Sequence, residues 1–213
     1  MTVLIRTAAA LAVVLGVAVA SPASAGPPTE ALSGYVDRLF AVLDDPTLKE
    51  PGRALERHRT IRTLAEQALD FRESARRALG IHWEPRTDVE RDRFVRLFTD
   101  LIDQAYLTKI NLDGEKVVLD TETINGNEAT VRARAITKSG TTPVTFSMFQ
   151  GAGGQWRIYD VSFEGMSLVG NYRAQFNKII RASSFDELVA RLEAKTRVDA
   201  QASSGEPVKS NSP

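Results

Sequence analysis

The spacing of apolar positions changes period along this chain, and each change marks a new kind of element. After Pro27-Pro28-Thr29, a helix start, Leu32, Tyr35, Val36, Leu39, Phe40 and Leu43 recur at i, i+3, i+4, i+7 spacing and predict a first helix to about Asp44. Asp44-Asp45-Pro46 and Pro51-Gly52 break the chain. Leu55, Ile61, Leu64 and Ala68 then predict a second, more charged helix with His58 on its basic, solvated side. Phe71 to Gly80 predicts a short helix stopped by the glycine. Thr87-Asp88-Val89-Glu90 has the form of a capping box, in which the threonine side chain takes an early backbone N–H and the glutamate reaches back to the cap. The long helix it opens carries the stripe Phe94, Leu97, Phe98, Leu101, Ile102, Ala105 and Tyr106.

From Glu115 the period falls to two. Val117 and Leu119 alternate with polar positions, Asn125-Gly126 supplies the positive φ of a tight hairpin turn, and Val131, Ala133 and Ala135 return between Arg132 and Arg134. Val144, Phe146 and Met148 share one face of a third strand. In the fourth, Trp156 and Ile158 fall on one side while Tyr159, Val161 and Phe163 fall on the other, which predicts a strand apolar on both faces. Gly165 ends it, and Leu168, Tyr172, Phe176 and Ile179 or Ile180 return to helical spacing. Ser184-Phe185-Asp186-Glu187 repeats the capping signature before a last helix that runs through Leu188 and Leu192 to near Lys195. Helices, a four-stranded antiparallel meander and two more helices make an α+β pattern, with the helices gathered on one side of the sheet.

The first 25 residues stand apart. One charge, Arg6, precedes an apolar run from Thr7 to Ala20, and Ser21-Pro22-Ala23-Ser24-Ala25 ends in the small-x-small form of a signal-peptidase site. The run is shorter than the roughly 20 residues of a membrane-spanning helix. Residues 1–25 therefore read as a cleaved secretory signal and 26–196 as the folded domain. Residues 197–213, with too little apolar content to bury, read as a disordered tail.

Composition narrows the chemistry. With 213 residues, 43% hydrophobic and 25% charged, the chain has the makings of one ordinary globular domain. Its 27 basic residues balance 27 acidic ones, which argues against nucleic acid and against an anionic membrane surface as partners. There is no cysteine, so disulfides, thiol nucleophiles and thiolate metal ligands are excluded. The two histidines, His58 and His82, lie in no catalytic or metal-binding motif.

Particular words in the sequence go further. Trp156-Arg157-Ile158-Tyr159-Asp160-Val161, then Glu164-Gly165-Met166-Ser167-Leu168-Val169, then Asn171-Tyr172-Arg173-Ala174-Gln175-Phe176 closely resemble the signature of MlaC-type periplasmic phospholipid-binding proteins, also called toluene-tolerance proteins. Ala78-Leu79-Gly80 before His82-Trp83, the segment from Glu90 to Phe98, Tyr106, and Gly114-Glu115-Lys116-Val117 resemble that family in the same order. The resemblance implies a periplasmic carrier, not an enzyme, that needs neither cofactor nor metal. It would shuttle lipid between outer and inner membranes and support outer-membrane lipid asymmetry. An inner-membrane ABC lipid transporter complex and an outer-membrane lipoprotein complex would be its partners. The implied fold is a curved sheet with helices enclosing an apolar cavity for acyl chains. Each buried methylene contributes about 0.8 kcal/mol, so two chains can be held without any headgroup contact.

The residues expected to form that site are Phe98, Leu101, Ile102, Tyr106, Val144, Phe146, Met148, Tyr159, Val161, Phe163, Leu168, Val169, Tyr172 and Phe176. The face of Val144, Phe146 and Met148 is wholly apolar, and methionine adapts to chains of varying shape. Trp156, Tyr159 and Tyr172 fit a core as well as a cavity wall. Asp160, Glu164 and Arg173 fit helix caps and ion pairs, a headgroup phosphate contact, or an acid and base pair. Three readings stand at this point: a carrier of phospholipid or of another apolar lipid such as a hopanoid or isoprenoid, an enzyme on a cone-shaped α+β fold, and a structural interaction module.

Overall fold

A computed structural model describes residues 25–109 and 115–204; the expected signal, up to residue 24, and the chain beyond residue 204 lie outside the described residues. Among the described residues four α-helices come first: α1 (Pro27–Asp44), α2 (Ala54–Ala68), α3 (Phe71–Leu79) and α4 (Asp88–Ala105). The strands β1 (Lys116–Asn125), β2 (Glu128–Thr137), β3 (Gly140–Gln150), β4 (Trp156–Phe163) and β5 (Met166–Ser167) follow, and α5 (Leu168–Ala182) and α6 (Phe185–Ser204) close the described chain. The sheet is an antiparallel meander in the order β1-β2-β3-β4-β5. The α+β pattern is as expected, with one strand more. Glu164 and Gly165, both at positive φ (51° and 81°), turn the chain back so that Met166 and Ser167 pair with Phe163 and Ser162. A two-residue strand carries no alternation, so the sequence shows only the stop at Gly165.

Residues opposite one another across an antiparallel ladder share a face. Ala129, Val131 and Ala133 of β2 stand opposite Met148, Phe146 and Val144 of β3. Those stand in turn opposite Ile158, Val161 and Phe163 of β4. This is the face that α1 covers, with Leu32 packed among Ala129, Val131, Met148, Trp156 and Ile158. Arg132 and Arg134 point to the exposed side.

The two apolar faces expected for β4 are thereby corrected to one. Ser147 pairs with Asp160 but Met148 pairs with Ile158, which leaves Tyr159 as the extra residue of a β-bulge. The insertion resets the alternation, so Val161 and Phe163 return to the side of Trp156 and Ile158. Tyr159 is left with the Arg77 guanidinium 3.7 Å from its ring centroid.

Three apolar clusters result. One joins α3, α4, α5 and α6 around Phe94, Phe98, Phe176 and Phe185. A second lies between α1 and the sheet, and a third holds Leu43 of α1 to Ile61 and Ala65 of α2 and to Leu107. Both expected caps are present. The Thr87–Glu90 capping box starts α4, and the Glu187 N–H donates to Ser184 Oγ at 3.1 Å ahead of α6. The last helix does not stop near Lys195 but continues past Arg197 to Ser204, so the expected tail begins at least partly as helix. From Phe185 no glycine or proline interrupts the chain until Gly205, and alanine and glutamine are good helix formers.

Candidate functional site

The three clusters meet around one cavity. Leu69 and Phe71 at the α2–α3 joint, Ser74 of α3, Phe98 and Ile102 of α4, Ile158 to Val161 of β4, and Leu168 and Val169 of α5 line it. Its free volume is about 30 Å³, roughly a tenth or less of the ~300–1,000 Å³ of an ordinary ligand pocket.

Each wall is set by a local feature. Arg157 donates to the carbonyls of Glu66 and Leu69 and so ends α2 against β4. Leu69 then forms a parallel bridge with Ile158, and the Asp70 N–H donates to the Ile158 carbonyl at 2.7 Å. Asp70 also caps α3 by accepting from the Glu73 N–H at 3.0 Å. On the opposite wall Asp160 caps α5: it accepts from the Ser167 hydroxyl and, at 2.9 Å, from the Val169 N–H, while Ser167 Oγ accepts from the Gly170 N–H at 2.8 Å.

Of the polar side chains at the cavity, Asp160 and Ser74 are both engaged. Ser74 Oγ lies 2.8 and 2.7 Å from the carbonyl oxygens of Asp70 and Tyr159, which share its one proton. Asp160 acts as a helix cap, the structural alternative left open by the sequence, although through its own carboxylate rather than through Arg173. Arg173 is exposed and makes no ion pair with a described residue, and Glu164 lies exposed in the β4–β5 turn. Outside the Tyr159 ring, Arg77 donates to Glu73 at 2.7 Å and to Glu128 at 2.6 Å. Burial works against the Arg77 charge, but the bonds to Glu128 and Glu73 outweigh it and hold its pKa above the ordinary value. Among the described residues, no three His, Asp or Glu side chains gather as a metal site.

Six of the residues expected at the site line this cavity: Phe98, Ile102, Tyr159, Val161, Leu168 and Val169. Leu101 and Phe176 are buried in the helical cluster, and Tyr172 packs against it with its ring 5.6 Å from that of Phe98 and 5.5 Å from that of Phe176. Burial, with Tyr106 beside it, pushes the Tyr172 phenol well above its ordinary pKa. Tyr106 itself ends α4 and is 40% exposed, and Phe163 at the end of β4 is 50% exposed. Val144, Phe146 and Met148 lie on the same sheet face as the cavity but away from its lining; Phe146 and Met148 sit in the cluster beneath α1. Leu69, Phe71, Ser74, Ile158 and Asp160 also line the cavity, beyond the expected set. Leu69 and Phe71 flank a helix break, where neither period gives a face, and Ile158 joins Val161 only through the bulge.

Next to Ile102, Asp103 is 4% exposed and ties α4 to α2. His58 Nε2 lies 2.9 Å from its Oδ1, and Arg62 donates to its Oδ2 at 2.9 Å and to Asp100 at 3.0 Å. His58 is thus part of an interhelical network rather than on a solvated face. Asp103→Ala is expected to destabilise the protein by about 2 kcal/mol, less than the ~3–5 kcal/mol for breaking a fully buried pair, because His58 and Arg62 can still reach water. Urea unfolding measures this, and an unchanged midpoint would mean that the network adds nothing to stability.

A solved structure shares this fold. A phospholipid-binding protein from Ralstonia solanacearum, solved in complex with a phospholipid, superposes with a TM-score of 0.68 at 19% identity, over 82% of this chain and 99% of that one, which shows a common fold. The intermembrane phospholipid transport system binding protein MlaC of Haemophilus influenzae is 24% identical over 123 residues, 55% of this chain and 58% of that relative. The match spans little more than half the length of the relative. The family model described as MlaC protein matches residues 33–194, from α1 into α6 and through every strand, and the chain belongs to the MlaC family.

Proposed function

We propose that this protein is a periplasmic lipid carrier, which takes phospholipid acyl chains between β4 and the helices α3, α4 and α5 and moves the lipid between outer and inner membranes. The observation that carries this reading is the cavity at the junction of three apolar clusters, where the Ser74 hydroxyl is committed to backbone carbonyls and the Asp160 carboxylate to a helix cap. A site of that kind favours apolar chains by burial, and neither Ser74 nor Asp160 is free to serve as nucleophile or base. The names of the Haemophilus and Ralstonia proteins support phospholipid as the cargo. An inner-membrane ABC lipid transporter complex and an outer-membrane lipoprotein complex are the corresponding partners, and outer-membrane lipid asymmetry is the process served.

The small cavity volume requires that loading part the helical cluster from the sheet. Phe98, Ile102, Leu168 and Val169 on the helical side and Ile158 and Val161 on the sheet side are apolar, and each can trade its partner for acyl chain. Native mass spectrometry of the protein purified from its own envelope, followed by lipid extraction, is expected to show a bound mass that resolves into a two-chain phospholipid. A hopanoid or isoprenoid would change the cargo, and the recovery of lipid-free protein alone would overturn the carrier.

A further inference from the structure

The first turn of α1 and the middle of β1 meet at one carboxylate. Gly26 precedes α1 as its N-cap with no side chain to offer, and Pro27 and Pro28 have no N–H that needs a partner. The first backbone donor available is Thr29. Its N–H and its hydroxyl both donate to Oε2 of Glu122, at 3.1 and 2.6 Å. An irregular step between Leu119 and Thr121 places Glu122 opposite Val131, on the side of the sheet that α1 covers. A negative charge there also complements the helix dipole.

The other oxygen of the same carboxylate lies against Gly26. A Cβ built on Gly26 would stand 1.7 Å from Glu122 Oε1, so no side chain fits at this position while Glu122 stays in place. The backbone nitrogen of Gly26 is about 2.5 Å from any such Cβ by standard geometry, which puts Oε1 no more than about 4.2 Å from that nitrogen. In an uncut chain this nitrogen is a neutral amide.

We propose that, once the Ala25–Gly26 peptide bond is hydrolysed, Glu122 also receives the new α-ammonium of Gly26 and so locks α1 onto the sheet. In the cut, water supplies the hydroxyl of a new Ala25 carboxyl group and a proton for the Gly26 amine, which takes a further proton from solvent to become the ammonium. The positive charge then sits beside Oε1, while Oε2 keeps Thr29. The ion pair exists only after processing, so the helix that covers Val131 and Met148 is fastened more tightly in the processed chain than in the precursor. This inference does not depend on which lipid is carried.

Pairing with a carboxylate raises an amine pKa. The stability from this pair is therefore complete below the ordinary α-amino value of about 7.7–8.0 and is lost as pH rises through the raised folded value. The test starts from protein recovered from its own envelope. N-terminal sequencing is expected to begin at Gly26. Reductive ¹³C-methylation of the α-amine, which keeps its charge, then allows NMR titration. The expected result is a pKa about half a unit to one unit above the ordinary value, since the pair is only partly shielded from water. In Glu122→Gln, which still offers Thr29 an acceptor, the amine is expected to return to its ordinary value. A different N-terminus, an ordinary value in the unsubstituted protein, or a raised value that survives Glu122→Gln would each overturn the proposal. If Glu122→Gln does not fold, titration of the unsubstituted protein with and without denaturant decides, and equal values would sink it.

Discussion

Val161→Arg is expected to yield a folded, exported protein with almost no bound lipid. Val161 lines the cavity from β4 and stands opposite Phe146 on the helix-covered face. A guanidinium there would have to lie among Leu168, Val169, Phe98 and Ile102, with the nearby carboxylate of Asp160 already holding the start of α5. An unpaired buried charge is costly enough to draw water into the seam or to exclude acyl chains from it. Thr145→Arg is the control, because Thr145 alternates with Val144 and Phe146 and faces away from the helices. Lipid per protein, by extraction and mass spectrometry, should fall sharply in the first variant and hardly in the second, with circular dichroism unchanged in both. Phe146→Arg, one strand further on, then shows how far the chains spread across the sheet. A normal lipid load in folded Val161→Arg would remove the β4 cavity as the site.

The largest loss of stability is expected elsewhere. Phe94 is fully buried, with its ring 6.1 Å from that of Phe98, 5.7 Å from that of Phe176 and 6.2 Å from that of Phe185. These rings come from α4, α5 and α6, so one side chain fills the space where three helices meet. Phe94→Ala removes its transfer free energy and leaves a cavity that rings fixed on separate helices cannot collapse into. The cost should be about 4 kcal/mol, read from urea unfolding, and about 10 °C in Tm for a domain of this length. A loss below about 1 kcal/mol would mean that the helices repack freely, and the helical cluster would then not be the rigid half of the molecule.

These two sites differ in how well the sequence announces them. The helical cluster is legible because Phe94, Phe98, Leu101, Leu168, Tyr172 and Phe176 repeat at the period of a helix, and a helix buries whatever lies on that stripe. The hairpin at Asn125-Gly126 and the capping boxes are legible because each depends on residue types with distinct backbone or hydrogen-bonding preferences. The β4 bulge is not, since an extra residue in a strand needs no particular side chain, and so strict alternation puts Val161 and Phe163 on the wrong side. The cavity is only partly legible for the same reason. Its helical members follow from periodicity, but Leu69 and Phe71 flank a break and Asp160 gains its role only when folding brings it to Ser167. The Asp103 network has no local signature, because its partners lie 45 and 41 positions away.

The Tyr159 bulge also bears on aggregation. A strand at the rim of a sheet offers a row of unsatisfied amides and carbonyls to any passing extended chain. In β4 that rim is shared between two occupants. Leu69 and Asp70 engage Ile158, Ser74 takes the carbonyl of Tyr159, and after the inserted residue Met166 and Ser167 take over at Phe163 and Ser162. A short α2–α3 joint and a two-residue strand could not guard such an edge alone; by meeting on either side of the bulge they break up the template that a foreign strand would need.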